Sequence, residues 1–313
     1  MNILLSKKSP VILLIISCIL IISSCSRGSS DKNIKEEKFP LENDSVVVKE
    51  VIKEPEYIIR YRLDSLVNEK QIDSFSTRYS YEERKLIFAL NRLDPTRLQL
   101  GMNLLIPDTL FDDINKYSPF PEELDILDSI PKAVLISQRI QGFALYAKGR
   151  LVKWGPVSSG KQSTPTPNGL HYGNYKAKKK ISTVNPDWLL PYYFNFMNFE
   201  GVGVHQYSLP GYPASHACVR LRLEDSQFIY DWANQWELDK TGQKIERNGT
   251  PFIVFGEYDY TNPVPWQKLG RDAKSNHLTK EERETLIQYS REFMKNKKNF
   301  EDPMEQEEFL VSN

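Results

Sequence analysis

The amino-acid sequence predicts a mainly β fold with flanking helices. Between residues 133 and 255 the chain consists of short runs rich in β-branched and aromatic residues, a composition typical of strands. Turn residues such as Lys148-Gly149 and Asn168-Gly169 separate these runs. On either side of this region, apolar residues recur at helical spacing instead. These observations indicate a central β domain, a small α/β module before it and a helical extension after it.

The central region contains several apolar runs of strand length and one of helical length. We predict strands over Ala133–Ile136, Gly142–Ala147, Leu151–Val157 and Phe252–Phe255, and a strand end at Val202-Gly203-Val204-His205. A helix is predicted over Glu224–Trp236, with Phe228, Ile229, Trp232 and Trp236 on one face. The aromatic stretch from Tyr192 to Phe199 has two open interpretations, which are core packing and the wall of a cleft.

The two flanking regions carry helical signals. In the N-terminal module, residues 57–108, helical spacing of Leu86, Leu90 and Leu93 is followed by a turn and a short strand. In the C-terminal extension, residues 257–313, Thr279 and Glu282 form a capping box ahead of an apolar face at Leu286, Tyr289 and Phe293. We expect this helix to pack on the central domain.

Composition and charge exclude some functions. The 313 residues include 41 basic and 41 acidic side chains, so the formal net charge is zero. No strong net field would draw the chain to nucleic acid or to an anionic membrane surface. We therefore expect no nucleic-acid partner. The sequence has neither an HExxH motif nor paired Cys-x-x-Cys spacing, so we expect no metal and no cofactor.

The N-terminus has the pattern of a secretory signal. Lys7 and Lys8 precede a short apolar run from Val11 to Ile22, and the small-residue site that follows ends at Cys25. This site resembles a lipobox, which implies a signal peptide over residues 1–24 and a lipid on Cys25. Residues 25–56 are rich in Ser, Lys, Glu and Asp, so we predict a flexible tether. The protein is then a membrane-anchored lipoprotein of the bacterial cell envelope.

Cysteine usage singles out one thiol. Cys18 lies inside the predicted signal and Cys25 carries the predicted lipid, so Cys218 is the only free thiol of the mature chain. An unpaired thiol in an oxidising compartment is either buried and inert or kept for chemistry. Two histidines, His205 and His216, lie close to it in sequence. A thiol becomes a good nucleophile when a neighbouring imidazole removes its proton, so these residues predict a catalytic site.

Each residue near Cys218 has a candidate role in such a site. His205 is the predicted base, and the backbone carbonyl of Gln206 would fix its tautomer. Small residues at Ser215 and Ala217 would let backbone N–H groups face a developing oxyanion. The Arg220 fork suits bidentate binding of a substrate carboxylate. His216 would either take part directly or only hydrogen-bond the loop.

Two separated motifs resemble one known family. Ser215-His216-Ala217-Cys218-Val219-Arg220-Leu221 is similar to the Ser-His-Gly-Cys-Ile-Arg-Met signature of L,D-transpeptidase (YkuD-type) catalytic domains, and His205 matches their upstream histidine. The segments 157–160 and 164–169 resemble the family's Ser-Thr-Gly and Thr-Pro-Thr-Gly motifs. The resemblance covers residues 131–256. Ala217 replaces the family glycine, Leu221 replaces methionine, and His205 lies closer to Cys218 than is usual.

The resemblance implies a β-sandwich and a cysteine acyl-enzyme. Cys218 would attack a peptidoglycan stem peptide, release D-alanine and pass the acyl group to an amine, forming a 3→3 cross-link. By the same match His205 is the base, while Ser215, His216 and Arg220 shape the site. If position 217 needs a positive φ, alanine costs about 1 kcal/mol there.

The N-terminal module resembles the second half of a LysM glycan-binding module. The match lies in the stretches 86–94 and 98–107, whereas Ile72–Ser76 is a poor match to the usual opening strand. Sugar binding and a purely structural role are both open for this module. For the whole chain three functions remain: transpeptidation, hydrolysis by an L,D-carboxypeptidase of the same fold, and peptidoglycan binding without catalysis.

Overall fold

The structure, a computed structural model, describes residues 58–300. The predicted signal peptide, Cys25 and the tether therefore lie outside the described residues, as does the end of the C-terminal extension. Within residues 58–300, no helix is both long enough and apolar enough to cross a membrane.

The described chain alternates short strands with four helices, and brief 3₁₀ turns connect several of them. The strands are β1 Tyr61–Ser65, β2 Asn103–Pro107, β3 Ala133–Ser137, β4 Gly142–Ala147, β5 Arg150–Pro156, β6 Gly169–Tyr172, β7 Lys176–Ile181, β8 Leu189–Met197, β9 Val202–Gln206, β10 Val219–Leu221, β11 Glu237–Leu238, β12 Ile245–Arg247 and β13 Pro251–Phe255. The helices are α1 Glu69–Arg78, α2 Tyr81–Leu90, α3 Leu223–Trp232 and α4 Lys280–Lys295.

A five-stranded sheet with the order β5-β4-β3-β13-β6 forms the centre of the fold. β3 and β13 are parallel, while β4 pairs with β3 in antiparallel fashion. Every residue of β3 is buried, and successive side chains point to opposite faces. Leu135 joins an apolar cluster on one face, whereas Val134 and Ile136 join a second cluster on the other. Both faces of this sheet are therefore covered.

A four-stranded sheet with the order β10-β9-β8-β7 covers one of these faces. The cluster between the sheets joins Val134 and Phe143 of the first sheet to Phe194, Val204 and Val219 of the second. Two facing sheets with an apolar layer between them form a β-sandwich. The fold is mainly β with a few helices, as predicted, and the four strands predicted from apolar runs are confirmed to within a residue or two.

The N-terminal module pairs β1 with β2 in antiparallel fashion and carries α1 and α2 between them. The segment that was compared with the usual opening strand is helical. Ile72 to Ser76 lie in α1, and the opening strand is the earlier segment Tyr61–Ser65. In that segment Tyr61 and Leu63 alternate with charged residues, which is the period-two pattern of a half-covered strand.

The module and α4 cover the other face of the central sheet. Leu86 and Leu90 of α2 share one apolar cluster with Leu135 of β3 and with Leu286 and Phe293 of α4. The predicted capping box is present, since Thr279 accepts from the Glu282 N–H and Glu282 caps the N–H of Thr279. The expectation that this helix packs on the central domain is confirmed.

Helix α3 differs from its prediction at its C-terminal end and in its buried face. It ends at Trp232, because Ala233 adopts extended backbone. Phe228, predicted on the apolar face, is exposed, and the buried positions are Asp225, Ser226 and Ile229. Asp225 tolerates complete burial because it pairs with Arg222 and with a lysine of β5.

Candidate active site

The pairing of two strands brings the predicted nucleophile and base together. β9 and β10 are parallel, and the register sets Val204 opposite Val219 and His205 opposite Arg220. Cys218 immediately precedes β10, so the thiol lies beside the β9 backbone at Gly203. Both Cys218 and His205 line one cleft. The structure therefore unites the two residues singled out in the sequence.

The His205 ring is held in one orientation. Its Nδ1 lies 2.9 Å from the backbone carbonyl oxygen of Gln206, so Nδ1 donates and Nε2 is left as the acceptor. The predicted role of Gln206 is therefore met by its backbone. The imidazole is 4% exposed, and burial lowers the His205 pKa to about 4, with the nearby Arg220 charge acting in the same direction. At neutral pH the ring is uncharged and able to accept a proton.

The Cys218 thiol is also uncharged at rest. Burial raises the Cys218 pKa above its ordinary value, although the Gly203 N–H and Arg220 act in the opposite direction. Sγ donates to the Gly201 carbonyl oxygen at 3.7 Å, and the Tyr193 hydroxyl donates to the same oxygen at 2.7 Å. One backbone carbonyl thus accepts from both the thiol and a buried tyrosine.

The loop before Cys218 is fastened to the segment that carries the second sequence motif. The Ser215 N–H donates to Ser159 O at 3.0 Å, and the Ala217 N–H donates to Thr164 O at 3.1 Å. Thr166 Oγ1 donates to Ala217 O at 2.7 Å. The N–H groups of Ser215 and Ala217 therefore hold the loop, and the predicted oxyanion contact of backbone donors around these two small residues stays a prediction.

Ala217 adopts the backbone conformation anticipated for this position. Its φ is +73°, in the left-handed region that glycine enters without cost and alanine does not. The hydrogen bonds on its N–H and carbonyl hold this conformation in place. The substitution of alanine for the family glycine thus carries a backbone cost.

Arg220 is held by two backbone carbonyls and an aromatic ring. Its guanidinium donates to Ala214 O at 2.9 Å and to Ser208 O at 3.4 Å, and its Cζ lies 4.7 Å from the centroid of the Tyr207 ring. Among residues 58–300, no carboxylate forms an ion pair with it. Its positive charge is therefore available to a ligand in the cleft.

His216 forms part of the cleft wall. Its Nε2 lies 3.3 Å from Lys161 Nζ, and its ring centroid lies 5.2 Å from that of Trp188. Burial lowers its pKa, followed by the charges of Lys161 and Arg220. These contacts favour a wall position for His216 over direct proton transfer, and His205 stays the predicted base.

Several cleft residues lie outside the sequence prediction. They are Lys180, Ser182, Thr183, Val184, Trp188, Leu190 and Glu200, mostly from the hairpin between β7 and β8. The aromatic stretch had two open interpretations, core packing and cleft wall. Tyr193 fits both, because it is fully buried and also lines the cleft. The sequence feature that could have indicated them is the basic edge strand β7, which Ser182 and Thr183 follow. Among the described residues no group of three His, Cys, Asp or Glu side chains could hold a metal ion.

Comparison with known families places this site in a defined class. Residues 131–254 match the family model of the YkuD L,D-transpeptidase catalytic domain. This segment of the chain therefore matches an L,D-transpeptidase catalytic domain of the YkuD type. The match includes His205, Cys218 and both motif segments.

Solved L,D-transpeptidase structures are similar to part of the chain. For the L,D-transpeptidase (Yku) from Stackebrandtia nassauensis the identity is 25%, the match covers 41% of this chain and 57% of that chain, and the TM-score is 0.33. For the L,D-transpeptidase from Mycobacterium smegmatis the identity is 22%, the match covers 40% of this chain and 59% of that chain, and the TM-score is 0.31. For a variant of the Enterococcus faecium L,D-transpeptidase the identity is 20%, the match covers 40% of this chain and 50% of that chain, and the TM-score is 0.32. The chain thus spans half to three fifths of these structures. No curated protein matches it.

Proposed function

We propose that the protein is a peptidoglycan L,D-transpeptidase that uses Cys218 as its nucleophile and forms 3→3 cross-links between stem peptides. The observation that carries the proposal is the shared cleft of Cys218 and His205 inside the segment that matches the catalytic domain. A binding protein without catalysis has no use for a thiol and an oriented imidazole in one cleft.

The proposed reaction proceeds in two acyl transfers. His205 Nε2 takes the Cys218 proton while Sγ attacks the peptide carbonyl, and the proton then passes to the amine of the departing D-alanine. This step breaks the peptide bond and leaves a thioester. An acceptor amine attacks the thioester, loses its proton to His205, and the proton returns to Sγ. The products are a new amide bond and the starting enzyme.

Oxyanion binding falls to the N–H groups of the loop that are not already engaged. Those of Ser215 and Ala217 donate to carbonyls of the neighbouring segment, so the proposal assigns the role to the N–H groups of His216 and Cys218. Each such donor typically contributes about 3 kcal/mol to transition-state stabilisation. Arg220 then binds the substrate carboxylate, for which its charge and planar fork are suited.

The proposed location is the cell envelope, with the chain held by a lipid on Cys25. Its support is the lipobox-like sequence and the polar tether that follows. Labelling cells with a fatty-acid analogue should tag the wild-type protein and not the Cys25→Ala variant. Equal labelling of both would contradict the proposed anchor.

The test of the activity is mass spectrometry of residues 26–313 incubated with disaccharide tetrapeptides. We expect D-alanine release and dimeric products from the wild type and neither from Cys218→Ala. His205→Gln should lower the rate by about 10²–10⁴-fold, whereas His277→Gln, which alters an exposed histidine outside the cleft, should leave it unchanged. Cys218-dependent tripeptides without dimers would instead indicate an L,D-carboxypeptidase. The absence of any Cys218-dependent product would indicate a wall-binding protein.

A further inference from the structure

One loop of the catalytic domain is held directly by the N-terminal module. Residues 207–214 connect β9 with the catalytic loop and thus lie between His205 and Cys218 in the chain. Asp94, just after α2, makes two hydrogen bonds to Leu209: its N–H donates to Leu209 O at 2.8 Å, and its Oδ2 accepts from the Leu209 N–H at 2.8 Å. Leu93 forms an isolated β-bridge with Pro210.

The contact between the module and the loop combines these hydrogen bonds with packing in the apolar core of the module. Leu93 is buried and belongs to the cluster that includes Phe75, Ile87 and Leu104. Leu209 is fully buried. Arg97 Nε adds a hydrogen bond to Ser208 Oγ at 3.1 Å. Because a well-packed core fixes the atoms that it touches, the position of the loop depends on the module.

The other side of the same loop determines where Arg220 points. The Arg220 guanidinium donates to the backbone carbonyls of Ser208 and Ala214 and lies over the ring of Tyr207. Ser208 is adjacent to Leu209, the residue that Asp94 holds. The contacts therefore form a continuous path from Asp94 through the loop to the cation in the cleft.

We infer that Asp94 is a positioning residue for the active site: by holding the loop 207–214 it aims Arg220 at an anionic group bound in the cleft. The proposal assigns the N-terminal module a role in catalysis that requires no glycan. It rests on the proposed function only in taking that anionic group to be a carboxylate of the substrate.

The experiment compares alkylation of Cys218 by iodoacetate and by iodoacetamide in the full-length protein. The two reagents differ in charge, so the ratio of their rates reports an oriented cation near the thiol. Mass spectrometry of the Cys218 peptide reads this site separately from the other cysteines. We expect Asp94→Ala to lower the iodoacetate-to-iodoacetamide ratio about threefold or more, toward the value of Arg220→Gln, since local charge alters such rates on the order of tenfold.

Asp94→Asn separates position from charge. The amide oxygen still accepts from the Leu209 N–H, so the ratio should return toward the wild-type value. The loss of a negative charge alone would act in the opposite direction, because it leaves the cations of the cleft less compensated and favours the anionic reagent. Asp73→Ala, an exposed aspartate in α1 of the same module, is the matched control and should leave the ratio unchanged.

The expected result requires that the fold is retained, which an unchanged iodoacetamide rate in Asp94→Ala and Asp94→Asn establishes. An unchanged ratio in Asp94→Ala, or an equal rise in both variants, would overturn the inference. So would a wild-type ratio in Arg220→Gln. None of these rates requires turnover, so the result is independent of whether muropeptides are processed.

Discussion

Burial shifts the pKa values of the two predicted catalytic side chains, Cys218 and His205, in opposite directions. Burial raises the Cys218 pKa and lowers that of His205, since a poorly hydrated site disfavours the charged form of each group. A thiol and a neutral imidazole thus face the cleft together. In the proposed mechanism the thiolate forms only as His205 takes the proton, in the course of the attack.

This resting state predicts a distinctive pH dependence for alkylation of Cys218. Only the thiolate reacts, and a raised pKa means that its fraction keeps growing above pH 9.0, the ordinary value. The iodoacetamide rate should therefore rise without a plateau between pH 6 and 8. Reaction rates measured by mass spectrometry across pH 5 to 10 test this. A plateau below pH 8 would show a preformed thiolate–imidazolium pair instead.

The positive φ of Ala217 predicts a stabilising substitution at the active site. Ala217→Gly removes the cost of a Cβ in the left-handed region, which exceeds the entropy that glycine adds to the unfolded chain. We expect the free energy of unfolding to rise by about 0.5–1 kcal/mol, measured by urea denaturation. Ala233→Gly is the control. Because Ala233 has φ −83°, this substitution relieves no strain and should lower the free energy of unfolding. A destabilised Ala217→Gly would contradict the argument.

For single residues, the sequence predicts which side chains form the candidate site, but it does not predict which groups their neighbours hydrogen-bond. Cys218 and His205 follow from residue type and spacing, and the carbonyl of Gln206 is adjacent in the chain. The partners of the Ser215 and Ala217 N–H groups, by contrast, are Ser159 and Thr164, more than fifty positions away. Only the folded chain shows that these donors are already engaged.

At the scale of elements, the position of His205 depends on close packing of β9 against β8. A Cβ added at Gly203 would lie 2.5 Å from the Phe194 carbonyl oxygen and 2.9 Å from a ring carbon of Tyr193. Backbone atoms cannot move aside cheaply, so β9 itself would shift and move His205 with it. Glycine at this position therefore allows the two strands to approach.

We predict that Gly203→Ala lowers the free energy of unfolding by about 1–3 kcal/mol, as overpacking typically does, and lowers the activity of the enzyme that remains folded. Gly142→Ala is the matched control in another buried strand. There the nearest atom would lie at 3.5 Å, so both quantities should change little. Urea denaturation and D-alanine release measure the two effects. Full activity in Gly203→Ala would show that the position of β9 is not limiting.

Elements were predictable where one apolar pattern dominated. The strands of the central sheet and the capping box of α4 are of this kind. The opening strand β1 was missed because its alternation of apolar and charged residues is short and its partner β2 lies about forty positions later. The buried face of α3 was misassigned because ion pairs allow Asp225 to occupy it, and such pairs are not visible in an apolar pattern.

At the scale of the whole molecule, the N-terminal module, the sandwich and α4 share one apolar core. Leu90, Leu135, Leu286 and Phe293 belong to the same buried cluster. Arg92, two residues after α2, is buried, with its Cζ 4.6 Å from the centroid of the Trp266 ring and 6.0 Å from that of Trp154. A sequence divided by motif suggests separate modules joined by linkers, whereas these contacts predict that the described residues unfold together.

Tryptophan fluorescence provides a sharp test, because all five tryptophans lie after residue 150, outside the N-terminal module. Phe75→Ala removes a buried ring from the core of the module, at a cost of about 3–5 kcal/mol. If the molecule unfolds as one unit, this substitution must lower the urea midpoint of the tryptophan signal and of far-ultraviolet circular dichroism equally. Asp73→Ala, two positions away and exposed, should leave both midpoints in place. A tryptophan midpoint that stays at the wild-type value in Phe75→Ala, while part of the dichroism is lost earlier, would show that the module unfolds independently, and the positioning of the active-site loop by Asp94 would then fail first under mild denaturation.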